Sequence, residues 1–255
     1  MENFISNRID FSSEFGRFNI LKEENDFIVV NKPAGLLVHP HKFSKGKTLI
    51  DFILDRYPEI KKVGEVGRPG LVHRLDQEVS GLMVIARSPK MYDFLIDQFH
   101  KKKIQKEYSA LVYHYPKEDQ GEINFPLARN KKGKIIAITD SPSYTGQKNL
   151  SQEKQAITFY QIQKKFSFPQ EIALLKVIPL TGRTNQIRVH LKAINCPIVG
   201  DIKYRVKGIK VIKNIFPNRV FLHAGFLGFY DLENQWQKFE LELPQEFKKV
   251  LDNFK

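Results

Sequence analysis

The sequence has one cysteine, Cys196, among its 255 residues. A single cysteine excludes an internal disulfide and any zinc or iron–sulfur site built from several cysteine ligands. Because disulfides are rare inside cells, this composition predicts a reducing, cytoplasmic setting. No basic or histidine side chain adjoins Cys196 in the sequence, so we expect a small buried side chain rather than a nucleophile.

Long apolar runs are also absent. No window approaches the roughly 18 apolar residues that a membrane-spanning helix needs. Residues 1–17 mix acidic, basic and aromatic side chains without an apolar segment, which predicts no secretory signal. We therefore expect a protein that does not associate with a membrane.

Acidic residues are scarce relative to basic ones, with 28 Asp and Glu against 41 Lys and Arg, a formal net charge of +13. Such an excess points to a polyanionic partner, most often a nucleic acid, although each basic cluster alone is also typical of a solvated loop. The clusters are Lys101, Lys102, Lys103 and Lys106; Arg129, Lys131, Lys132 and Lys134; and Lys203, Arg205, Lys207, Lys210, Lys213 and Arg219.

Hydrophobic periodicity predicts several strands and three helices. The predicted strands cover residues 27–30, 82–86, 108–113, 156–162, 171–178, 221–227 and 237–243. Helices are predicted at residues 48–57, after the Ser88-Pro89 start signal, and after Thr184 as N-cap. Consecutive strands without regular helical alternation favour an α+β fold with a mixed, mainly antiparallel sheet and flanking helices.

Two short motifs suggest other chemistry. Gly46-Lys47-Thr48 resembles the end of a phosphate-binding loop, which would make the protein a nucleotide hydrolase, but His41 stands where that motif needs glycine. His39-Pro40-His41 offers at most two metal ligands and has no partner cluster, so we predict no metal site.

Two polar segments stand beside apolar ones. In the first, an extended backbone would place Arg74 and Asp76 on one face, at the mouth of the strand 82–86. A partly buried carboxylate at this position costs folding free energy unless it is paired or has a catalytic function. The sequence is therefore compatible with two interpretations, a structural Arg–Asp pair and a catalytic acid. In the second segment, residues 179–191, Arg188 lies one position off the apolar stripe of a helix, where it can reach a cleft.

Together these segments resemble the RluA-type pseudouridine synthases over nearly the whole chain. His73-Arg74-Leu75-Asp76 followed by Ser80-Gly81 is similar to the family's catalytic motif. The other matching segments are Asn31 to Pro40, Lys106 to Ala110, Thr181 to Leu191, Pro197 to Asp201, and Leu222 to Ala224.

The chain departs from the family pattern at three positions. Val79 stands where the family usually has threonine, Asn185 replaces a histidine, and Arg205 follows Tyr204 in place of glycine. None of these removes a residue expected to react. We expect them to alter local hydrogen bonding and substrate choice rather than activity.

The resemblance also implies a domain plan. Many relatives carry an additional N-terminal RNA-binding domain of the S4 type, but here the first catalytic-domain strand begins near Asp26. We therefore expect a short N-terminal extension at residues 1–20 and a single catalytic domain with a central cleft at residues 21–255.

The resemblance implies that the protein isomerises uridine in RNA to pseudouridine without a cofactor or metal. Asp76 would be the nucleophile or the base that opens the glycosidic step. Arg188 would keep Asp76 ionised, and Tyr108 would lie against the uracil and serve in proton transfer at C5. The target uridine would have to flip out of its stack, and Arg74 would fill the space that it leaves.

The predicted RNA-binding residues come partly from the resemblance and partly from the charge pattern. They are Arg74, His73, Leu191, Arg183, Gln186, Lys203, Arg205, Lys210 and Lys213. We expect RNA as the partner, large-subunit rRNA before tRNA, and a monomeric protein. The alternative is a catalytically silent RNA-binding or ribosome-assembly protein on the same fold.

Overall fold

The computed structural model describes most of the chain and divides it into two compact units. Unit 1 comprises Met1–Gln105 and Ala224–Leu241, and unit 2 comprises Lys106–His223 and Glu242–Lys255. The described residues are 9–13, 16–41, 44, 46–139, 150–167, 169–206, 208–209 and 219–254.

The described residues form fourteen strands. They are β1 Ile9–Ser13, β2 Gly16–Glu23, β3 Phe27–Lys32, β4 Gly64–Glu65, β5 Arg68–Pro69, β6 Ser80–Ala86, β7 Gln105–Tyr113, β8 Gln120–Ile123, β9 Leu127–Arg129, β10 Ile135–Ala137, β11 Thr158–Phe166, β12 Ile172–Pro179, β13 Leu222–Tyr230 and β14 Trp236–Glu240.

Four α-helices and one 3₁₀-helix accompany these strands. They are α1 Leu49–Arg56, the 3₁₀-helix Pro58–Lys62, α2 Pro89–His100, α3 Gln186–Ala193 and α4 Gln245–Leu251. No helix in the described part of the chain is long and apolar enough to cross a membrane.

In unit 1 the strands follow the order β1-β2-β3-β6-β13, and β14 pairs antiparallel with β13. Strands β3 and β6 are antiparallel, with Phe27 opposite Ala86 and Lys32 opposite Gly81. Both strands are buried almost throughout, because α2 covers part of this sheet with Met91 and Leu95. The register brings the loop after β3 next to the segment that leads into β6.

In unit 2 the strands follow the antiparallel order β7-β12-β11-β8, and β9 and β10 form a separate hairpin. Helix α3 packs beside this hairpin and beside β11 and β12. Leu127, Ala137, Val189 and Tyr204 belong to the apolar cluster that joins hairpin and helix. This packing fixes the helix that carries Arg188.

The predicted fold class is confirmed, and so are the helices with clear start signals. Thr48 is the N-cap of α1, and the Ser88 hydroxyl accepts a hydrogen bond from the Met91 amide at the start of α2. The predicted Thr184 cap is wrong by one position. Asn185 caps α3 with φ of 54°, a left-handed conformation that asparagine tolerates better than most residues.

The structure adds elements at both ends of the chain. Strands β1 and β2 pair onto β3, so the predicted boundary at residue 20 falls within β2. The prediction of one catalytic domain stays a prediction beside the division into two units. Cys196 is buried, and burial raises the pKa of its thiol to about 12, which agrees with an unreactive side chain.

Candidate active site

Asp76 lies in the unit 1 loop between the β4–β5 hairpin and β6. The side chains of Leu75 and Val79 are buried on either side of it, while Asp76 is half-buried. The Val79 amide donates to the Asp76 carbonyl at 3.1 Å, which closes a tight turn after the carboxylate. Apolar anchors on both sides therefore hold Asp76 at the start of β6.

Lys32, the last residue of β3, ties this loop to the one that follows β3. Its side chain is fully buried, and its ammonium donates to the carbonyls of Pro33, Leu36 and Gln77 at 2.8, 2.8 and 3.1 Å. The Gly35 amide donates to the Gln77 carbonyl, and the Gln77 side-chain amide donates back to the Gly35 carbonyl. Three hydrogen bonds therefore hold Gln77, the residue next to Asp76.

His73 is anchored from behind the same loop. Its Nε2 accepts the Val84 amide at 3.0 Å, so Nε2 carries no proton. The ring also lies 5.2 Å, centre to centre, from the ring of Phe99. These contacts tie the loop to β6 and α2, which is a structural task for a residue predicted to bind substrate.

Gly81 is required where β6 passes β13. Its φ is 124°, a region that L side chains rarely adopt, and an added Cβ would lie 2.3 Å from the Ala224 carbonyl oxygen. The backbone conformation at the start of β6, directly after the Asp76 loop, therefore requires the glycine of the Ser80-Gly81 pair.

Arg74 points to solvent from the Asp76 loop. It is exposed, and its guanidinium approaches Nε2 of His39 at 3.4 Å. Burial lowers the pKa of His39, and the positive charges of Arg74 and Arg68 lower it further, so the ring is held neutral and can accept from Arg74. Arg74 therefore presents its guanidinium at the surface of the Asp76 loop.

In unit 2, Tyr108 lies on β7 with 9% of its surface exposed, opposite Val177 of β12. Lys106 precedes it by two residues on the same face of the strand. Burial lowers the pKa of the Lys106 amine to about 8. Sequence reasoning gave Lys106 no role at the site beyond its positive charge.

Arg188 is held by a carboxylate that sequence reasoning did not assign. Its Nε and one terminal nitrogen donate to the two oxygens of Asp201 at 2.6 and 3.0 Å, and both side chains are buried. Two donors on one carboxylate fix the plane of the guanidinium. Arg188 belongs to unit 2 and Asp76 to unit 1, and their predicted pairing stays a prediction.

Two further residues complete the surroundings of Arg188. The Asn185 side-chain amide donates to the Tyr204 hydroxyl at 3.0 Å, and its oxygen lies 3.4 Å from Arg188. The Tyr204 ring lies 5.3 Å from the guanidinium carbon of Arg188, and Tyr204 is buried. The family departure at Asn185 is therefore in direct contact with Arg188, and the Tyr204 ring is buried beside the same guanidinium.

Gly200 allows Asp201 to reach this position. Its φ is 76°, and an added Cβ would lie 1.8 Å from the Arg219 carbonyl oxygen. Only glycine fits here. The Tyr204 amide donates to Asp201 at 3.0 Å, so the carboxylate is also held from its own loop.

Gln186 is buried and uses its side chain within unit 2. Its amide nitrogen donates to the Ile157 carbonyl and the Thr158 hydroxyl, and its oxygen accepts from Thr181 and from the Arg183 amide. These four bonds shape the loop before α3. They give a predicted substrate-binding residue an internal role.

The network continues from Thr158 to His190. The Thr158 hydroxyl lies 2.9 Å from Nδ1 of His190, and Nε2 lies 2.9 Å from the Phe125 carbonyl oxygen. A neutral ring with its proton on Nε2 satisfies both contacts. Burial lowers the pKa of His190 below its ordinary value of 6.5, which keeps that neutral form.

His190 predicts a loss of stability in mild acid. Because folding lowers the pKa of His190, the neutral ring contributes fully to the free energy of unfolding above pH 6.5. That contribution is lost as the pH falls below 6.5. The free energy of unfolding should fall by up to about 1.4 kcal/mol per pH unit through this group. Urea unfolding between pH 7 and 5 should show a steeper decline for the native chain than for His190→Gln, while exposed His100→Gln should behave like the native chain.

The remaining predicted residues differ in exposure. Leu191 is fully buried, whereas Arg183, Lys203 and Arg205 are exposed on unit 2. Lys210 and Lys213 lie outside the described residues.

The contacts of the Gly46-Lys47-Thr48 segment are those of a capped helix start. The Lys47 amine pairs with Asp55 at 2.6 Å, and the Thr48 hydroxyl donates to Asp51 at 2.7 Å. Within the described ranges, no three His, Cys, Asp or Glu side chains are grouped to bind a metal.

Comparison with known proteins identifies the family. A family model described as RNA pseudouridylate synthase matches residues 26–193. An uncharacterized RNA pseudouridine synthase of Aquifex aeolicus is 38% identical over 95% of this chain and 74% of its own length. Ribosomal large subunit pseudouridine synthase D of Blochmanniella floridana is 35% identical over 91% of this chain and 71% of its own length.

Solved structures agree on the fold. Human RNA pseudouridylate synthase domain containing 1 aligns with a TM-score of 0.70 at 22% identity, over 92% of this chain and 86% of that one. Human RNA pseudouridylate synthase domain containing 4 aligns with a TM-score of 0.67 at 26% identity, over 92% of each chain. The family match covers the Asp76 loop, Tyr108 and Arg188, and the chain belongs to the RNA pseudouridine synthases.

Proposed function

We propose that this enzyme converts specific uridines of large-subunit rRNA to pseudouridine, with Asp76, Tyr108 and Arg188 as its catalytic residues. The observation that carries the proposal is the position of Asp76, held by Lys32 and apolar anchors in a loop that matches the family's catalytic motif. The ribosomal target follows the name of the relative from Blochmanniella floridana.

In the proposed reaction, the bond between uracil N1 and the ribose C1′ breaks, and a bond between uracil C5 and C1′ forms. The proton lost from C5 balances the one gained at N1, so the product is an isomer of the substrate. Asp76 acts at the glycosidic step, either by attack on the sugar or as a base. No oxidant, reductant or energy source enters the balance.

Each of the other catalytic residues has a matching environment. Arg188 presents a fixed guanidinium, because Asp201 binds two of its nitrogens, and a fixed cation favours the ionised form of a nearby carboxylate. Tyr108 offers an aromatic face for the uracil and a hydroxyl for proton transfer at C5. Leu191 would form part of the apolar wall that keeps water from the detached base.

RNA binding is assigned to exposed cations. Arg74 would occupy the space left by the flipped uridine, since its planar side chain can stack on bases. Lys203, Arg205, Lys210, Lys213 and Arg183 would contact phosphates. His73 and Gln186 would support these contacts indirectly, since their side chains bond to the protein itself. We further propose a monomer that acts in the cytoplasm, where ribosomes are assembled.

Mapping of pseudouridine tests this function. The purified protein should introduce pseudouridine at discrete sites of unmodified large-subunit rRNA, and cells that lack the gene should lose pseudouridine at the same sites. Modification confined to tRNA would contradict the proposed substrate. RNA binding without pseudouridine in any RNA would favour the silent RNA-binding alternative.

A further inference from the structure

A groove of about 380 Å³ opens on unit 2 beside the loop that leads into α3. Its apolar lining consists of the half-buried Ile135 of β10 with the buried Leu127 and Ala128 of β9 behind it, and Arg129, Lys154 and Arg183 contribute exposed cationic side chains. The volume falls within the range of about 300–1,000 Å³ that holds small organic ligands or parts of larger ones. An apolar surface bordered by cations suits a nucleotide, which has an apolar base face and an anionic phosphate.

The groove is built on fixed backbone. Lys154 and Leu127 exchange two main-chain hydrogen bonds of 2.9 Å, so the segment before β11 runs along β9. The Ser151 amide donates to the Arg129 carbonyl, and the Ser151 hydroxyl accepts the Arg129 amide at 2.8 Å. Four hydrogen bonds therefore join β9 to residues 151–154 on the two sides of the groove.

Two of the three cations are also oriented. One terminal nitrogen of Arg129 donates to the Gly133 carbonyl at 2.6 Å, and Nε of Arg183 donates to the Gln155 carbonyl at 3.1 Å. Each bond uses one of the five donors of a guanidinium and leaves its charge uncompensated. The positions are thus fixed while the charge stays available to a ligand.

The groove has no acidic counterpart among the residues that the structure describes. Its described lining contains no carboxylate, and Arg129, Lys154 and Arg183 form no ion pair with a described residue. Cations elsewhere on unit 2 do pair, for example Lys165 with Asp119 at 2.6 Å and Lys176 with Glu107 at 2.7 Å. Uncompensated like charges around a concave surface raise the local concentration of an anionic ligand.

Further cationic side chains, Lys134, Lys192 and Lys203, lie close together beyond the turn of the β9–β10 hairpin. Lys134 donates to the Lys203 carbonyl, and its amine lies 4.9 Å from the centre of the Tyr204 ring. Burial lowers the pKa of Lys134, and the charges of Lys192 and Lys203 lower it further. The nearby carboxylate, Asp201, is already bound to Arg188.

We propose that this groove binds one nucleotide of the RNA strand that neighbours the target uridine. The apolar surface contacts the base or ribose, and Arg129, Lys154 and Arg183 contact phosphates. The loop residue Thr184 lines the groove, and Arg188 follows four residues later in the first turn of α3. The inference rests on the proposed function, since it assigns the RNA strand a path beside a proposed catalytic residue.

The test is a salt titration of RNA binding by the purified 255-residue chain. A triple variant, Arg129→Gln, Lys154→Gln and Arg183→Gln, is compared with the native chain on a labelled single-stranded fragment of large-subunit rRNA. Three lost phosphate contacts should lower the slope of log affinity against log salt by about 2, at roughly 0.7 per contact. Affinity at low salt should fall at least about tenfold.

The matched control removes the same charge elsewhere on unit 2, through Lys117→Gln, Lys164→Gln and Lys249→Gln, all exposed and outside the groove. Its slope should stay close to that of the native chain. A groove variant that binds RNA like this control overturns the inference, even where pseudouridine is formed. Absence of pseudouridine with a groove-dependent slope would instead overturn the proposed reaction and keep the groove.

Discussion

Replacing Asp76 with asparagine is expected to lower the single-turnover rate of pseudouridine formation by roughly four orders of magnitude, or about 5 kcal/mol in the activation barrier. Asparagine has nearly the same shape as aspartate but carries no charge, and it can neither attack the sugar nor act as a base. The hydrogen bond from the Val79 amide goes to the main-chain carbonyl of Asp76, so the turn survives the change. The rate should be measured on the rRNA fragment that contains the mapped uridine.

RNA binding separates a catalytic defect from a folding defect. Asp76→Asn should bind that fragment with nearly native affinity, since the exposed cations are untouched. Asp93→Asn, an exposed aspartate of α2 in the same unit, should keep the native rate. An Asp76→Asn protein that forms pseudouridine at the native rate would remove Asp76 from the chemistry.

Breaking the Arg188–Asp201 pair is the second large effect that we expect. Asp201→Asn leaves a buried guanidinium without its counter-charge, which should lower the free energy of unfolding by about 3–5 kcal/mol. A displaced guanidinium should also slow the reaction by about 100-fold, a loss that a 1 Å error in position can cause. Thermal unfolding and the single-turnover rate measure the two effects separately.

A double replacement distinguishes stability from catalysis. Arg188→Met with Asp201→Leu exchanges the buried ion pair for apolar side chains, and such exchanges are often neutral or stabilising. We expect this protein to melt near the native temperature and still to form pseudouridine at least about 100-fold more slowly. A stable double variant with the native rate would show that Arg188 serves only the fold.

The sequence predicted best those elements whose signal is local. The strands at residues 27–30 and 82–86 are almost wholly buried, and an apolar run of only four or five residues favours a buried strand over a helix. The helices α1 and α2 begin at residues whose side chains favour N-caps. The short strands β8 and β9 were missed because they have four and three residues with no clear alternation.

The site residues divide in the same way, into residue types that the sequence shows and contacts that it does not. The residue types of the motif around Asp76 were readable, because a polar run directly before a buried strand is unusual. Their partners were not readable, since the Lys32 ammonium meets a carbonyl 45 residues away and Arg188 meets Asp201 across a loop. The spacing of residues along the chain does not indicate which group a buried charge will contact in the folded protein.

Tyr204 and Gln186 illustrate what residue type alone leaves open. Both lie in segments rich in polar or basic residues, and the sequence predicted that Gln186 binds substrate. In the structure Tyr204 packs on Arg188 and Gln186 fills its hydrogen bonds within unit 2. A basic neighbourhood indicates a binding surface, but it does not tell which of its uncharged members point inward.

The Lys32 ammonium couples the opening of two loops. One donor group bonds to the chain after β3 and to the chain after Asp76, so neither loop can separate without releasing the other. Local unfolding should therefore involve both loops as one cooperative unit. The amide hydrogens of Gly35 and Val79, one in each loop, are expected to exchange with solvent water at a common rate.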